Sequence, residues 1–148
     1  QPQYNMFHRE KVEVEFLQMY KTVGLGTTIW SPLASGALTE KYLDKFPSDT
    51  RMSIEGLEWL RERNLTTAHV EKVRALHGLA KDLGTSLPQL AIAWCVQNPN
   101  VSTAILGASK PAQLTETLGS LDVVPKLTPE VNDLIEGILH NKPVMPEY

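Results

Sequence analysis

Two stretches of this sequence combine residue types that could hold a ligand. The first begins with the β-branched run Thr27–Ile29, which favours extended backbone. A large aromatic residue, Trp30, follows, and Pro32 and Gly36 then end any strand. Small residues here would let the backbone approach a bound molecule closely. The alternative is an edge strand with a buried tryptophan.

The second stretch is Gly107–Ser109, which directly precedes a predicted helix. Backbone N–H groups at a helix start attract anions, and Gly107 lets the backbone come near one. Ser109 can add a hydroxyl hydrogen bond and Lys110 a positive charge. The pattern therefore favours a phosphate site, although a serine in this place can also be a plain helix cap.

Five further polar residues could complete a dinucleotide site. Gln113, Glu116 and Thr117 fall on the first turns of the helix after Ser109, and residues three or four apart share a helix face. Lys41 and Arg51 lie in a long connection and could cover a pyrophosphate. For all five, the alternative is an ordinary solvated surface.

The elements that must position these residues alternate between helix and strand. Strands are predicted at the start of the 27–36 stretch and over Val101–Leu106. Helical apolar faces run over Val12–Val23, Leu57–Leu60, Val70–Ala80, Leu90–Val96, Leu114–Leu118 and Val131–Leu139. Thr66 or Thr67, Ser86 with Gln89, and Thr128 with Pro129 are helix-start signals. The alternation predicts an α/β fold with parallel strands.

Composition narrows the classes of function. The chain has 148 residues, a net charge of -3 and a sequence pI near 5.8, which argues against a nucleic-acid surface. A single cysteine, Cys95, cannot form an internal disulfide, so a reducing, cytoplasmic location is expected. No apolar run approaches the roughly 18 residues of a membrane span, and no secretory signal is predicted. The histidines show no metal-ligand spacing. Because Gln1 replaces an initial methionine, we expect a processed or truncated product.

Several motifs together resemble one family, the aldo-keto reductases, and within it the branch of the potassium-channel β-subunits. They are Trp30–Gly36, Leu87–Cys95 and Leu106–Ser109, with Gln1–Phe7 and Asn141–Pro143 fitting the same branch. The resemblance covers the whole chain. It implies a (β/α)8 TIM barrel, which takes about 250 residues. The chain, residues 1–148, would be a single segment forming the second part of that barrel, from the end of strand six to the C-terminal helices.

The resemblance also implies roles for individual residues around NADP(H). Gln1 would hydrogen-bond the nicotinamide carboxamide, and Trp30 would stack on the nicotinamide ring. The pyrophosphate path would be lined by Ser31, Pro32, Leu33, Ser35 and Gly36. Lys41 and Arg51 would close over the phosphates. The adenosine end would be held by Gly107, Ser109, Gln113, Glu116 and Thr117.

Three positions depart from the family pattern. Many family members carry an arginine near Gln113 that binds the 2′-phosphate of NADP. This chain lacks that arginine, so a preference for NADP over NAD stays open. Lys110 is a partial substitute for it. Thr117 stands where the channel branch usually has asparagine, which weakens an adenine contact there. Glu40 replaces a glycine that is common before the loop lysine.

The family reaction is hydride transfer from nicotinamide to an aldehyde or ketone, assisted by a tyrosine, a lysine, a histidine and an aspartate. Those four belong to earlier barrel strands, so no catalytic residue is assigned to this chain. Its tyrosines lie outside the catalytic motif: Tyr4, Tyr20, Tyr42 and Tyr148. Cys95, Trp59 and Trp94 are interpreted as packing residues.

Three functions remain open at this point. The first interpretation is part of a reductase acting on a small aldehyde or ketone, with the rest of the protein supplying catalysis. The second is part of a regulatory subunit that docks as a tetramer on a potassium channel and uses the cofactor as a redox sensor. The third interpretation is a catalytically inert fragment, whose unpaired strand edges would drive association with another copy or with the missing half.

Overall fold

The computed structural model describes residues 1–145, and Pro146–Tyr148, including the tyrosine discussed above, lie outside that range. Helices and strands alternate along the chain. The helices are α1 (Leu17–Val23), α2 (Glu58–Asn64), α3 (Thr67–Asp82), α4 (Leu87–Val96), α5 (Pro111–Leu118) and α6 (Pro129–Leu139). The strands are β1 (Thr27–Trp30) and β2 (Val101–Ile105). The α/β class predicted from the sequence is therefore confirmed.

The two strands pair in parallel, as their alternation with helices predicted. Trp30 at the end of β1 lies opposite Ile105 at the end of β2, and an irregularity between Thr27 and Thr28 shifts the register. The N-terminal segment adds a parallel bridge on the other side of β1, where Gln3 pairs with Trp30. Three extended segments thus run side by side and end at the same edge.

Helix α4 lies at the centre of the packing. Its residues from Leu87 to Cys95 are all buried except Gln89, and the helix contacts β2, α3 and α5. The predicted capping box is present, because Ser86 accepts from the Gln89 N–H while the Gln89 side chain accepts from the Ser86 N–H. Trp94 stacks on Tyr4 with ring centroids 5.2 Å apart, which confirms its packing role.

The other predicted helix starts are also present. The Thr66 side chain accepts from the His69 N–H at the start of α3, and the Thr128 side chain accepts from the Val131 N–H at the start of α6. Pro129 occupies the first turn of α6, where its missing N–H carries no cost. These are local interactions, readable from neighbouring residues.

Two predictions about apolar residues were wrong. The single helix expected over Val12–Val23 breaks at Phe16, because Lys11–Glu15 forms a π-helical turn before α1 begins. The wider turn rotates the following side chains, so Val12 is buried while Val23 is exposed. Trp59, interpreted as a packing residue, is 53% exposed on α2.

Strand β2 is paired as predicted but is not buried along its length. Val101 is buried, whereas Ser102, Thr103 and Ile105 are exposed. Within residues 1–145 the sheet has two strands, so no further strand covers the outer edge of β2. An open edge and an exposed apolar face are what a part of a larger closed barrel would leave.

Candidate functional site

Trp30 stands at the shared edge of the extended segments. Its main-chain N–H donates to Pro2 O at 3.1 Å and its carbonyl accepts from the Tyr4 N–H at 3.2 Å. The indole Nε1–H donates to Gln1 O at 3.0 Å. The side chain nonetheless stays 44% exposed, so the edge-strand alternative with a buried tryptophan is wrong. A held, half-exposed aromatic ring is suited to stacking on a planar ligand.

The segment after Trp30 has an unusual backbone. Four of its residues adopt left-handed φ angles, which side chains other than glycine rarely accept: Ser31 (57°), Ala34 (48°), Ser35 (59°) and Gly36 (95°). The Ser31 hydroxyl accepts from the Ser35 N–H at 3.2 Å and so closes the turn. The N–H groups of residues 34, 36, 37 and 38 also bond to carbonyls within the segment. The segment can therefore offer shape and hydroxyl groups rather than free amides. Strain of this kind clusters at ligand sites.

Asn5 holds this loop, a role that was not predicted from the sequence. The side chain is only 1% exposed. Its Nδ2 donates to Ser31 O at 2.9 Å, while its Oδ1 accepts from the Phe7 N–H at 2.9 Å. The sequence did contain a signal for this turn. Asparagine side chains often accept from the main-chain N–H two residues ahead, as Asn5 does from Phe7.

The second loop presents three hydrogen-bond donors to a single point. The Gln113 Oε1 atom accepts from the Ser109 N–H at 2.9 Å, the Ser109 hydroxyl at 3.2 Å and the Lys110 N–H at 3.3 Å. Lys110, rather than Ser109, is the N-cap of α5, so the plain serine cap does not describe this structure. Converging donors at a helix start fit an anionic oxygen. In this structure the Gln113 side-chain oxygen is the acceptor for all three donors.

The remaining predicted adenosine residues lie further along α5. The Thr117 hydroxyl donates to Gln113 O at 3.0 Å and to Leu114 O at 3.1 Å, so it is engaged within its own helix. Glu116 is exposed, and its main-chain oxygen accepts from Gln89 Nε2 at 2.8 Å. Gly107 is also exposed at the loop tip.

The two predicted phosphate-covering residues lie on short 3₁₀ turns of the long connection. Lys41 is exposed on the turn Glu40–Tyr42, and Arg51 is exposed at the start of the turn Arg51–Ser53. Within residues 1–145, the side chains of Lys41 and Arg51 make no hydrogen bond to the 31–36 or 107–110 loops. The register of β1 and β2 places the two strand-end loops at one edge of the sheet, and within the same residues neither cationic side chain is bonded to them.

Pro32 and Leu33 face inward. Pro32 is buried and Leu33 packs against the core. Only their backbone can border an open path beside Ser31 and Ser35. The larger described cavity, about 490 Å³, lies elsewhere, and no predicted site residue lines it. Its lining consists of Phe46, Met52, Ser53, Ile54, Glu58, Arg61 and Glu62.

Two titratable side chains of the interior, Cys95 and Tyr4, are buried, and burial raises their pKa values. Burial, and secondarily Glu13, raises the pKa of the Cys95 thiol, and the residue is buried in α4. Burial also raises the pKa of Tyr4, whose hydroxyl donates to Glu13 Oε1 at 2.8 Å. Neither group is poised for proton transfer or nucleophilic attack near neutral pH.

The described residues contain neither a metal-binding cluster nor a membrane-spanning helix. No three acidic, histidine or cysteine side chains within residues 1–145 are grouped so as to bind a metal ion. None of the helices in that range has the length and apolar character that a membrane crossing requires.

Comparison with known proteins points to one family. The model of the "Aldo/keto reductase family" matches residues 1–140. A protein of Oryza sativa subsp. japonica named "Probable voltage-gated potassium channel subunit beta" is 52% identical over 99% of this chain and 45% of its own length. A protein of Arabidopsis thaliana with the same name is 50% identical over the same shares. The chain therefore spans less than half the length of these relatives.

Proposed function

The chain belongs to the aldo/keto reductase family, and we propose that it supplies much of the NADP(H) cleft of a longer carbonyl reductase. In this proposal the chain is the second part of a (β/α)8 barrel, and the rest of the protein supplies the residues that act on the substrate. The substrate would be a small aldehyde or ketone.

One observation carries the proposal: the parallel register that sets Trp30 opposite Ile105. Because both strands end at this level, the left-handed loop and the donor-rich loop leave the same edge of the sheet. In open and closed parallel sheets, ligands bind at the carboxyl ends of the strands. A dinucleotide that stacked on Trp30 would extend its phosphates along that edge.

The residues of this chain would bind and orient the cofactor rather than transfer protons. The reduced nicotinamide ring supplies the hydride when it is bound. The Trp30 indole would support one face of that ring, with its N–H fixed on Gln1 O and the Gln1 side chain free to reach the carboxamide. The Ser109 donors would take a phosphate oxygen in place of Gln113 Oε1. Lys110 would place positive charge beside a 2′-phosphate.

The activity is tested on the complete reading frame that contains this chain. We expect the purified protein to oxidise NADPH in the presence of small aldehydes, followed by the loss of absorbance of the reduced cofactor. No turnover, together with the absence of a tyrosine, lysine, histidine and aspartate set before Gln1, would rule out the reductase.

Cofactor binding is tested separately by titrating the complete protein with NADPH and NADH. We expect quenching of tryptophan fluorescence, because a nicotinamide stacked on Trp30 accepts its excitation. Trp59 and Trp94 also emit, so a Trp30→Phe variant is the control. Equal quenching in both proteins would remove Trp30 from the site.

A second candidate function rests on the names of the two plant relatives, which are probable voltage-gated potassium channel β-subunits. The complete protein would then dock as a tetramer on the cytoplasmic face of a channel, with the bound cofactor sensing redox state. Co-purification with the cytoplasmic domain of a channel would support this function. A monomer by size-exclusion chromatography with light scattering would contradict it.

The isolated 148-residue chain is expected to be inactive and to associate. Ile105 is 45% exposed on a strand whose outer edge is open within the described residues. Leu118 and Leu121 add exposed apolar surface nearby in the chain. A cooperative thermal melt of a monomeric 148-residue chain would show that this part folds without the remainder.

A further inference from the structure

Glu40 has contacts that a glycine in its place could not make. Its Oε1 accepts from the N–H of Leu87, the first residue of α4, at 3.4 Å. The same oxygen lies 3.4 Å from Nδ1 of His77 on α3. That nitrogen is buried and makes no hydrogen bond within residues 1–145, so Glu40 is the polar group beside it. A carboxylate at a helix N-terminus is favourably placed because it faces unpaired N–H groups and the positive end of the helix dipole.

Arg74 fixes the same segment one turn earlier on α3. Its Nη2 donates to Leu43 O at 2.8 Å, and its Nη1 lies 3.5 Å from Asp44 Oδ1. Arg74 and His77 are three residues apart and so share a face of α3. The segment Thr39–Asp44 is therefore bonded to α3 at its Leu43–Asp44 end, and at its Glu40 end it is bonded to the start of α4 and lies against His77.

Lys41 lies between these attachments. Its N–H donates to the Thr39 hydroxyl oxygen at 3.4 Å, and the same hydroxyl donates to Gly36 O at 2.7 Å. The neighbouring Tyr42 ring lies 3.7 Å from the place where a Cβ on Gly36 would sit. The backbone of Lys41 is thus held between α3, α4 and the left-handed loop, while its side chain is exposed.

We propose that Glu40 is a positioning residue: its contacts with Leu87 and His77 hold the Lys41 backbone so that the Lys41 ammonium can retain the cofactor phosphates. The inference rests on the proposed function, because it needs a dinucleotide in the strand-end site. It assigns a role to the position that departs from the family pattern. Holding a cation in place before binding reduces the entropy lost when the phosphates arrive.

The test uses the complete protein and two measurements. The first is amide hydrogen exchange of residues 37–46 without cofactor, which reports the attachment itself. The second is the NADPH dissociation rate by stopped-flow displacement. We expect Glu40→Gly to accelerate both, with dissociation faster by about fivefold, the size of one carboxylate contact at a helix N-terminus. Glu40→Gln keeps an acceptor for Leu87 but loses the charge, so an intermediate effect of about twofold is expected.

Three comparisons make the role specific. Glu55→Gln removes an exposed carboxylate from the same connection and should change neither measurement. In a Lys41→Met background, Glu40→Gly should no longer accelerate dissociation, because the two residues act through one contact. The KM for NADPH should rise in Glu40→Gly while kcat stays unchanged, which a general loss of stability would not produce.

The outcomes separate the inference from the function it rests on. If the unaltered protein binds NADPH and Glu40→Gly changes neither exchange nor dissociation, the positioning role is refuted and the cofactor site stands. Additive effects of Glu40→Gly and Lys41→Met would also refute it. If the unaltered protein does not bind NADPH, the proposed function fails and the role of Glu40 in cofactor retention fails with it.

Discussion

Arg9 and Gln113 each gather several hydrogen bonds, but in opposite surroundings. Arg9 is 6% exposed, and its guanidinium donates to both carboxylate oxygens of Glu13 and of Glu136 and to Asn141 Oδ1. Burial opposes the charge, yet the hydrogen bonds to Glu136 and Glu13 raise the pKa of Arg9 above its ordinary value. Gln113 accepts three hydrogen bonds at a loop whose donors are exposed.

The hydrogen bonds of Arg9 form a structural network, whereas those of Gln113 can be replaced by bonds to other acceptors. Arg9 is covered and bonded to both glutamates, so removing one member of the network leaves charge without its partner in a poorly solvated place. At the α5 start, water or an anion can take the place of Gln113 Oε1 at little cost. We expect substitutions in the first region to act on stability and substitutions in the second to act on binding.

Arg9→Met tests the structural side and should have the largest effect. The substitution leaves two carboxylates partly buried without a counter-charge, for which about 3–5 kcal/mol of destabilisation is typical. Urea denaturation of the complete protein measures it. Arg63→Met is the matched control, because Arg63 is exposed and, among residues 1–145, donates only to Gln3 Oε1, at 3.4 Å. If both variants lose the same free energy of unfolding, the buried network contributes no more to stability than an exposed arginine.

Asn5→Ala tests a buried residue that supports the left-handed loop of the candidate site. It leaves Ser31 O and the Phe7 N–H without their partner, so we expect a loss of about 2–3 kcal/mol in the free energy of unfolding. NADPH affinity should fall as well, because the left-handed loop loses its attachment. Asn5→Asp keeps the acceptor for Phe7 but sets a carboxylate oxygen against Ser31 O at a buried site, so its loss should be at least as large. A destabilised variant with unchanged affinity would separate this loop from the cofactor site.

Trp30→Ala should weaken cofactor binding and leave stability nearly unchanged, the opposite of what we expect for Arg9→Met. Stacking of an aromatic side chain on a nucleotide base contributes about 1–3 kcal/mol, so we expect the Kd for NADPH to rise by about 5-fold to 150-fold. The melting temperature should change little, because the ring is already half exposed. Trp59→Ala is the control, since Trp59 is similarly exposed and lies on α2. Isothermal calorimetry gives both dissociation constants, and equal values would remove the tryptophan from the cleft.

The sequence predicted most of what local chemistry decides. The capping pair Ser86 and Gln89 acts over three residues, and the caps at Thr66 and Thr128 act over the same distance. Such contacts depend on residue type and spacing alone, so they can be read without a structure. The parallel pairing of β1 and β2 followed from the alternation of elements.

What the sequence could not predict depends on contacts between distant residues. Glu40 meets Leu87 across 47 positions, and Arg9 meets Glu136 across 127. The π-helical turn before Phe16 broke a periodicity that looked continuous. At the site, the spacing of Gln113, Glu116 and Thr117 predicted a shared face of α5, but not that the Gln113 oxygen turns back onto the Ser109 donors.

Gln113→Glu sharpens the contrast at its exposed end, with the smallest expected effect on stability. A carboxylate accepts stronger hydrogen bonds than an amide and interacts favourably with a helix N-terminus, so the cofactor-free protein should gain about 0.3–1 kcal/mol. The same charge would repel a phosphate, so the NADPH Kd should rise. Stability and affinity are thus predicted to move in opposite directions, measured by urea denaturation and calorimetry.

Thr115→Glu distinguishes local contact from added charge. Thr115 is exposed on α5 and its hydroxyl donates to Pro111 O, so the variant carries the same charge without facing the Ser109 donors. We expect its effect on NADPH affinity to be smaller and to disappear at 0.5 M salt, because exposed charges are screened over about 4–5 Å at that ionic strength. The Gln113→Glu effect should persist in part, since a bonded carboxylate must be displaced before a phosphate can bind. If both variants weaken binding equally and lose the effect together in salt, Gln113 does not occupy the phosphate position, and the α5 start contributes only a general field.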